Sequence, residues 1–113
     1  MARLRTDFFV AAYRVTCEAA GAFVVFLNKG DAIAGAVYIR LRSRSGALEV
    51  YEPVPNFDNP DARAWMRSPV NAEADDAAAD AFVAGILKRD PDAWIVDVDG
   101  ADATCRPSPI VEV

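Results

Sequence analysis

The residues with the clearest chemical potential lie on one short segment, where an aromatic residue and arginines recur at every second position: Tyr38, Arg40, Arg42 and Arg44. In a β-strand, side chains two residues apart share a face. Such a face could hold an anionic ligand or a nucleic-acid backbone, because guanidinium groups bind phosphate and aromatic rings stack on bases. The alternative is a solvated strand face whose arginines pair with carboxylates of the neighbouring strand.

A second group of chemistry-bearing residues is a run of aspartates near the C-terminus: Asp90, Asp92, Asp97, Asp99 and Asp102. Their spacing does not match the calcium-binding loop of an EF-hand. An intervening strand would place Asp90 and Asp92 at the opposite end from Asp97 and Asp99. The chain also has no histidine, the commonest general base and metal ligand. We therefore predict no catalytic residue, no metal site and no cofactor; an enzyme would need carboxylates such as Asp97.

Two further motifs favour structural roles. Gly30 and Gly35 have the spacing of a phosphate-binding loop, but the lysine and hydroxyl residue that should follow are missing and the segment precedes a strand. We interpret both glycines as parts of a turn and a strand start. Cys17 and Cys105 fit no metal-binding spacing, and we expect structural thiols.

The most exposed candidate for a protein contact is Phe57, which lies in a proline-bounded loop over residues 52–60. Aromatic side chains anchor many protein interfaces. Trp65 and Trp94, in contrast, occur in apolar segments and are expected in the core.

The helices and strands that must position these residues are indicated by hydrophobic periodicity. It predicts a helix over 7–20, strands over 22–27, 35–42 and 47–51, a short edge strand over 63–67 with Trp65 turned inward, a helix from 71 or 73 to about 89, and a strand over 94–98. Two hairpins among the early strands would make the sheet mostly antiparallel. The predicted fold is a two-layer α+β domain with two helices and four or five strands.

Helical spacing also predicts which faces point to the core. In the first helix the stripe is Phe8, Ala12, Val15 and Ala19, and in the second it is Ala74, Ala78, Ala81, Phe82, Gly85 and Ile86. The strand over 22–27 is continuously apolar, so we expect it to be covered on both faces.

The pairing across Ser45-Gly46 decides which residues join the arginine face. A two-residue turn there sets Arg42 opposite Glu49 and Arg40 opposite Tyr51. Tyr51 would then share the face of the arginines, while Val37, Ile39 and Leu41 point inward.

The length and the net charge limit the possible classes of protein. The chain has 113 residues, which we interpret as one domain over 1–113. No apolar run approaches the roughly 20 residues that cross a bilayer, and the start lacks the apolar stretch of a signal peptide, so we expect a cytoplasmic protein without membrane contact. A net charge of −5 disfavours nucleic acid as the partner.

Three stretches together resemble a known family. They are Leu4-Arg5-Thr6-Asp7, Gly30-Asp31 with Ala34-Gly35-Ala36-Val37, and the segment Asp90-Pro91-Asp92-Ala93-Trp94-Ile95-Val96-Asp97-Val98. In this order they are similar to short alphaproteobacterial proteins known as domain of unknown function 1491. The resemblance covers nearly the whole chain and implies a bacterial cytoplasmic protein. It implies no activity and no catalytic residues.

The hypothesis favoured by these patterns is a non-enzymatic protein-interaction or accessory module, whose partner is another protein or a second copy of the chain. The candidate binding residues are Tyr38, Arg40, Arg42, Arg44, Tyr51 and Phe57. Binding of nucleic acid or another anion through the arginine face is the first alternative. A small carboxylate-based enzyme is the second.

Overall fold

The computed structural model describes residues 4–68 and 76–111. Their elements, in chain order, are α1 (Thr6–Ala19), β1 (Phe23–Asn28), β2 (Val37–Ser43), β3 (Leu48–Val54), β4 (Ala64–Arg67), α2 (Asp76–Arg89), β5 (Trp94–Ala101) and a short 3-10 turn (Ala103–Cys105). The predicted α+β class and the order of the elements are confirmed. The predicted start of the second helix lies outside the described residues.

The five strands form one sheet in the order β1-β5-β2-β3-β4. β5 is antiparallel to β1 and parallel to β2, and the other pairings are antiparallel. The prediction that β1 and β2 pair as a hairpin is wrong, because β5 lies between them. The residues of β5 fit this place: Val96 and Ile95 point to opposite faces and both are fully buried, as expected for a strand covered on both sides.

The predicted register of the β2–β3 hairpin is wrong by one residue. Arg40 lies opposite Val50, and Leu41 lies opposite Glu49. The turn contains three residues instead of two, since the Ser43 amide donates to Ala47 O at 2.9 Å and Gly46 adopts a φ of 92°. A shift of one residue moves every side chain of β3 to the other face.

The two helices cover opposite faces of the sheet. On one face, Val10 and Cys17 of α1 pack in a cluster that includes Ile39 and Val96. On the other face, Ile86 of α2 packs on Ile95. Helices therefore cover the sheet from both sides, whereas a two-layer arrangement would place both on one side. The inward prediction for Val37, Ile39 and Leu41 is confirmed, because each is at most 3% exposed.

The predicted core stripe of α1 is wrong, because it faces solvent. Phe8 is 56% exposed and Val15 is 67% exposed, and Ala12 and Ala19 are exposed as well. Polar anchors decide the orientation of the helix. The hydroxyl of Tyr13 donates to the backbone oxygen of Cys105 at 2.5 Å, and the hydroxyl of Thr6 donates to that of Gly35 at 2.9 Å. These bonds turn the face with Val10, Tyr13 and Cys17 inward.

The predicted face of α2 is right in part. Ile86 is buried and Phe82 is half-buried, but Ala78 and Ala81 are exposed, and Ala79 takes their place against the sheet. Ala74 lies outside the described residues. Because alanines stand at four of the first seven positions of this helix, the small-residue pattern does not distinguish one face from the next.

The prediction that the strand over 22–27 is covered on both faces is also wrong. β1 is an edge strand, and its residues alternate between exposed and more buried positions. Trp65 on the fourth strand, in contrast, is turned inward as predicted: it is 1% exposed, and its indole N–H donates to Val37 O at 3.0 Å.

Candidate interaction surface

The central residue of the arginine face predicted from the sequence, Arg40, is paired with carboxylates of the protein itself. Arg40 is only 8% exposed because α2 lies over it. Its Nη1 is 3.1 Å from Oδ1 of Asp80 on α2, and its Nε is 3.9 Å from Oδ1 of Asp97 on β5. The parallel register adds a second pair by setting Arg42 beside Asp99. Arg40 is therefore not accessible to a phosphate.

Burial and the arginines of this face shift the pKa of the neighbouring Asp97 carboxyl in opposite directions. Burial raises the pKa of the Asp97 carboxyl, whereas the neighbouring guanidinium groups of Arg40 and Arg42 lower it. Asp99 and Asp80 act in the same direction as burial. Desolvation is the largest of these effects, so the pKa of Asp97 stays above its ordinary value although the arginines oppose the shift.

The structure separates the remaining predicted residues of this face. Tyr38 is half-buried beneath α2, and this burial raises the pKa of its hydroxyl. Arg42 donates to Gly46 O at 3.5 Å within the hairpin turn. Arg44 reaches across to the end of α1, where it donates to Ala20 O at 3.4 Å. A cation at that end complements the helix dipole, which gives Arg44 a structural role.

Tyr51 lies on the other face of the sheet, because the register differs from the predicted one. Its hydroxyl donates to Oε1 of Glu49 at 2.7 Å. The Arg106 guanidinium contacts both oxygens of that carboxylate at 3.0 Å, and Arg67 lies at 3.7 Å. Hydrogen bonds from Arg106 hold the pKa of Glu49 below its usual value, and burial raises the pKa of Tyr51 to about 12. This cluster joins the C-terminal segment to β3.

Phe57 is 90% exposed, as the loop prediction implies. The turn around it is ordered by Asn56, whose side-chain oxygen accepts from the amides of Asp58 at 3.1 Å and Asn59 at 3.0 Å. Phe57 lies on this loop, outside the strand that bears the arginines.

The largest departure from the sequence prediction is the outer strand β1. Phe23, Val25 and Leu27 are 69%, 39% and 46% exposed. We refer to these three side chains, together with the outward backbone groups of β1, as the edge surface. Phe23 and Val25 project from the sheet face that bears Asp97 and Asp99, since Val25 pairs with Asp97 and Phe23 with Asp99, while Leu27 lies in the bulge between Phe26 and Asn28.

The opposite edge of the sheet is closed. The amide of Trp65 on β4 donates to Pro109 O at 3.1 Å, and Val111 donates back to Trp65 O at 2.7 Å. The C-terminal segment therefore pairs with β4 at Ile110. Within residues 4–68 and 76–111, no segment pairs in this way with the outer side of β1.

Sequence features that usually protect an edge strand are sparse in β1. Its six residues include no charged residue and no proline. A bulge between Phe26 and Asn28 is a protective irregularity, and it leaves the stretch from Phe23 to Phe26 regular. Exposed apolar edges of this kind are templates for a further strand.

A cleft of about 370 Å³ lies where β2 and β3 diverge. Their ladder stops at Ile39 and Tyr51, and the next residue of β3 on that face, Pro53, has no amide hydrogen to donate. Trp65 and Arg63 are among the lining residues.

In the described part of the chain, no three histidine, cysteine or acidic residues are grouped so as to hold a metal ion, and no helix is long and apolar enough to cross a membrane.

This geometry defines the class: an α+β protein whose five-stranded sheet has one edge closed by its own C-terminal segment and one apolar edge with which no other described segment pairs. A family model for a protein of unknown function (DUF1491) matches residues 4–105. The chain belongs to the DUF1491 family.

Solved structures similar to this chain agree with that assignment. A crystal structure of a DUF1491 family protein from Caulobacter crescentus CB15 is 31% identical, has a TM-score of 0.80, and covers 96% of this chain and 99% of its own. An NMR structure of a DUF1491 family protein from the same organism is 31% identical with a TM-score of 0.81, over 99% and 100%. The solution structure of protein Atu0922 from A. tumefaciens is 27% identical with a TM-score of 0.77, over 95% and 99%. No curated protein matches the chain.

Proposed function

We propose that this chain is a protein-interaction module that binds an extended segment of a partner protein along β1. One observation carries the proposal: β1 presents three exposed apolar side chains and an uncharged outer edge, whereas the other edge of the sheet is closed. A partner strand would gain backbone hydrogen bonds from the edge and apolar contacts from alternate side chains.

The contacts of the arginines and the lining of the cleft favour this function over both alternatives. An anionic ligand needs accessible cations, but Arg40 is buried against two carboxylates. A carboxylate enzyme needs two acids in one concave site. The cleft of about 370 Å³ has, among the described residues that line it, Arg63 as its charged side chain and no acid. A smaller cleft of about 110 Å³ is lined by Glu49 and Asp102, but Arg106 donates to both oxygens of Glu49, and Asp102 accepts from the amide of Thr104. Both carboxylates therefore have structural partners.

Site-specific crosslinking tests the proposal. A photoreactive phenylalanine analogue in place of Phe23, introduced in the producing cells, should give a crosslinked protein that can be identified by mass spectrometry. The same analogue at Phe57 is the matched control, because Phe57 is also an exposed phenylalanine but lies on a different loop. Adding Val25→Lys to the first variant should remove the crosslink. Crosslinking from Phe57 alone would assign the contact to the loop and refute the proposal.

A further inference from the structure

We infer that the partner at the edge surface is a second copy of this chain, whose β1 pairs antiparallel with the first across a two-fold axis at Val25. The inference rests on the proposed function and names its partner. The two sheets would then join into one continuous sheet of ten strands, which removes the open edge from both copies.

The sequence of β1 is complementary to itself in this register. Across an axis at Val25, Val24 lies opposite Phe26 of the second copy, and Phe23 approaches the bulge that contains Leu27. Directly opposed residues of an antiparallel pair share a face, so the exposed residues meet exposed residues. The exposed side chains of Phe23 and Val25 thereby lie against the second copy. The central pairs, from Val24 to Phe26, also avoid the bulge between Phe26 and Asn28.

The charges around β1 are compatible with a second copy. Two copies of a chain with a net charge of −5 repel each other, so self-association needs a contact where acids do not oppose acids. β1 itself has no charged residue. In an antiparallel pair, the end of β1 that precedes Lys29 meets the Phe23 end of the second copy, which lies beside Asp99. A cation of one copy thus approaches an acidic corner of the other.

The size of the contact sets the expected affinity. Two six-residue strands with three exposed side chains each form an interface at or below the small end of specific complexes, which begins at about 1,200 Å². We expect a reversible dimer with a dissociation constant on the order of micromolar. The association is therefore measured by sedimentation over a concentration series that extends from well below to well above that range.

Charge substitutions at the axis test the register. In Val25→Lys two lysines meet directly, and we expect the dissociation constant to rise by about 100-fold or more. Val25→Glu should dissociate in the same way, and mixing the two variants should restore a dimer that contains one of each. Val15→Lys is the matched control, because Val15 is also an exposed valine but lies on the outer face of α1. It should leave the association unchanged.

A cysteine at the axis gives a second measurement that does not depend on equilibrium affinity. Val25→Cys should form an intermolecular disulfide with oxidised glutathione, whereas Val15→Cys should not. The native thiols of Cys17 and Cys105 are fully buried and do not interfere. Circular dichroism of each variant establishes that it is folded.

Each outcome decides the inference. Dimerisation that Val25→Lys leaves intact, or that Val15→Lys abolishes, would overturn it. A wild-type chain that stays monomeric throughout the series, without a disulfide in Val25→Cys, would also overturn it. If the photoreactive group at Phe23 captures a different protein in that case, the proposed function stands and only the identity of the partner is wrong.

Discussion

Replacing Arg40 by methionine tests the account of the buried charges beneath α2. The substitution retains an unbranched apolar side chain but leaves Asp97 and Asp80 without their shared cation. Removing one partner of a fully buried ion pair costs about 3–5 kcal/mol. Here the side chains of Asp97 and Asp80 are 35% and 69% exposed, so solvent screens part of the loss. We expect the free energy of unfolding to fall by about 2 kcal/mol, and the melting temperature by about 8 °C.

The pH dependence of that loss identifies its cause. Burial raises the pKa of the Asp97 carboxyl above its unfolded value, and Arg40 opposes this effect. Without Arg40 the pKa rises further, so the ionised carboxylate destabilises the fold at neutral pH. This penalty disappears as the pH falls through the raised pKa and the carboxyl becomes protonated. The difference between wild type and Arg40→Met must therefore shrink between about pH 7 and about pH 4.

Urea unfolding followed by circular dichroism at both pH values measures this difference. The double variant Arg40→Met with Asp97→Leu is the control, because it removes the carboxylate together with its partner. It should recover much of the lost stability at neutral pH, as apolar replacements of buried ion pairs often do. An equal loss at both pH values, or no recovery in the double variant, would show that Arg40 acts through packing and that the electrostatic explanation is wrong.

Three further predictions concern other parts of the fold. Glu49→Gln should lower the free energy of unfolding in urea by about 2 kcal/mol at neutral pH, because it weakens charged hydrogen bonds. Since the pKa of Glu49 is lowered in the folded state, this advantage of the wild type should vanish as the pH falls through that folded pKa. Unchanged unfolding midpoints would contradict this prediction. Gly30→Ala should lose the native near-ultraviolet spectrum, because its Cβ would lie 2.0 Å from Asp92 O; a normal spectrum would disprove the close approach. Cys17, whose pKa burial raises to about 12, and Cys105 should react with Ellman's reagent only after denaturation, and rapid reaction of the native protein would contradict their burial.

Local patterns in the sequence identified the elements well. Alternation over 35–42 predicted the inward row of Val37, Ile39 and Leu41, and the apolar spacing around Trp65 predicted an inward tryptophan on a short strand; both are confirmed. Such patterns suffice because burial imposes a period of two on a strand wherever one face meets the core.

The order and register of the strands depended on information that local patterns lack. The insertion of β5 beside β1 is a contact between distant parts of the chain, and no spacing within either strand specifies it. The register of β2 and β3 depended on whether the turn at Gly46 contains two residues or three. That single residue moved Tyr51 away from the arginines and joined Glu49 to Arg106.

The two glycines with phosphate-loop spacing show how a functional motif can have a packing origin. A Cβ at Gly30 would lie 2.0 Å from Asp92 O, and one at Gly35 would lie 2.8 Å from the same atom. Both positions therefore need glycine because the backbone before β5 passes directly against them. The interpretation as a turn and strand start agrees with these contacts.

The two errors about which residues are buried have a common physical cause. In α1 the stripe with Phe8 and Val15 is as apolar as the face that is buried, and in β1 Phe23 and Val25 are as apolar as the residues between them. Because α1 lies at the surface and β1 lies at the edge of the sheet, only one face of each can be buried in the core. Residues whose pattern predicts burial but which the fold leaves exposed are therefore the strongest candidates for burial by a partner. Of the two surfaces, β1 combines that excess with an outer edge that no segment of residues 4–68 and 76–111 pairs with. For this reason Val25 is the position that self-association should depend on, and Val15 is its matched control.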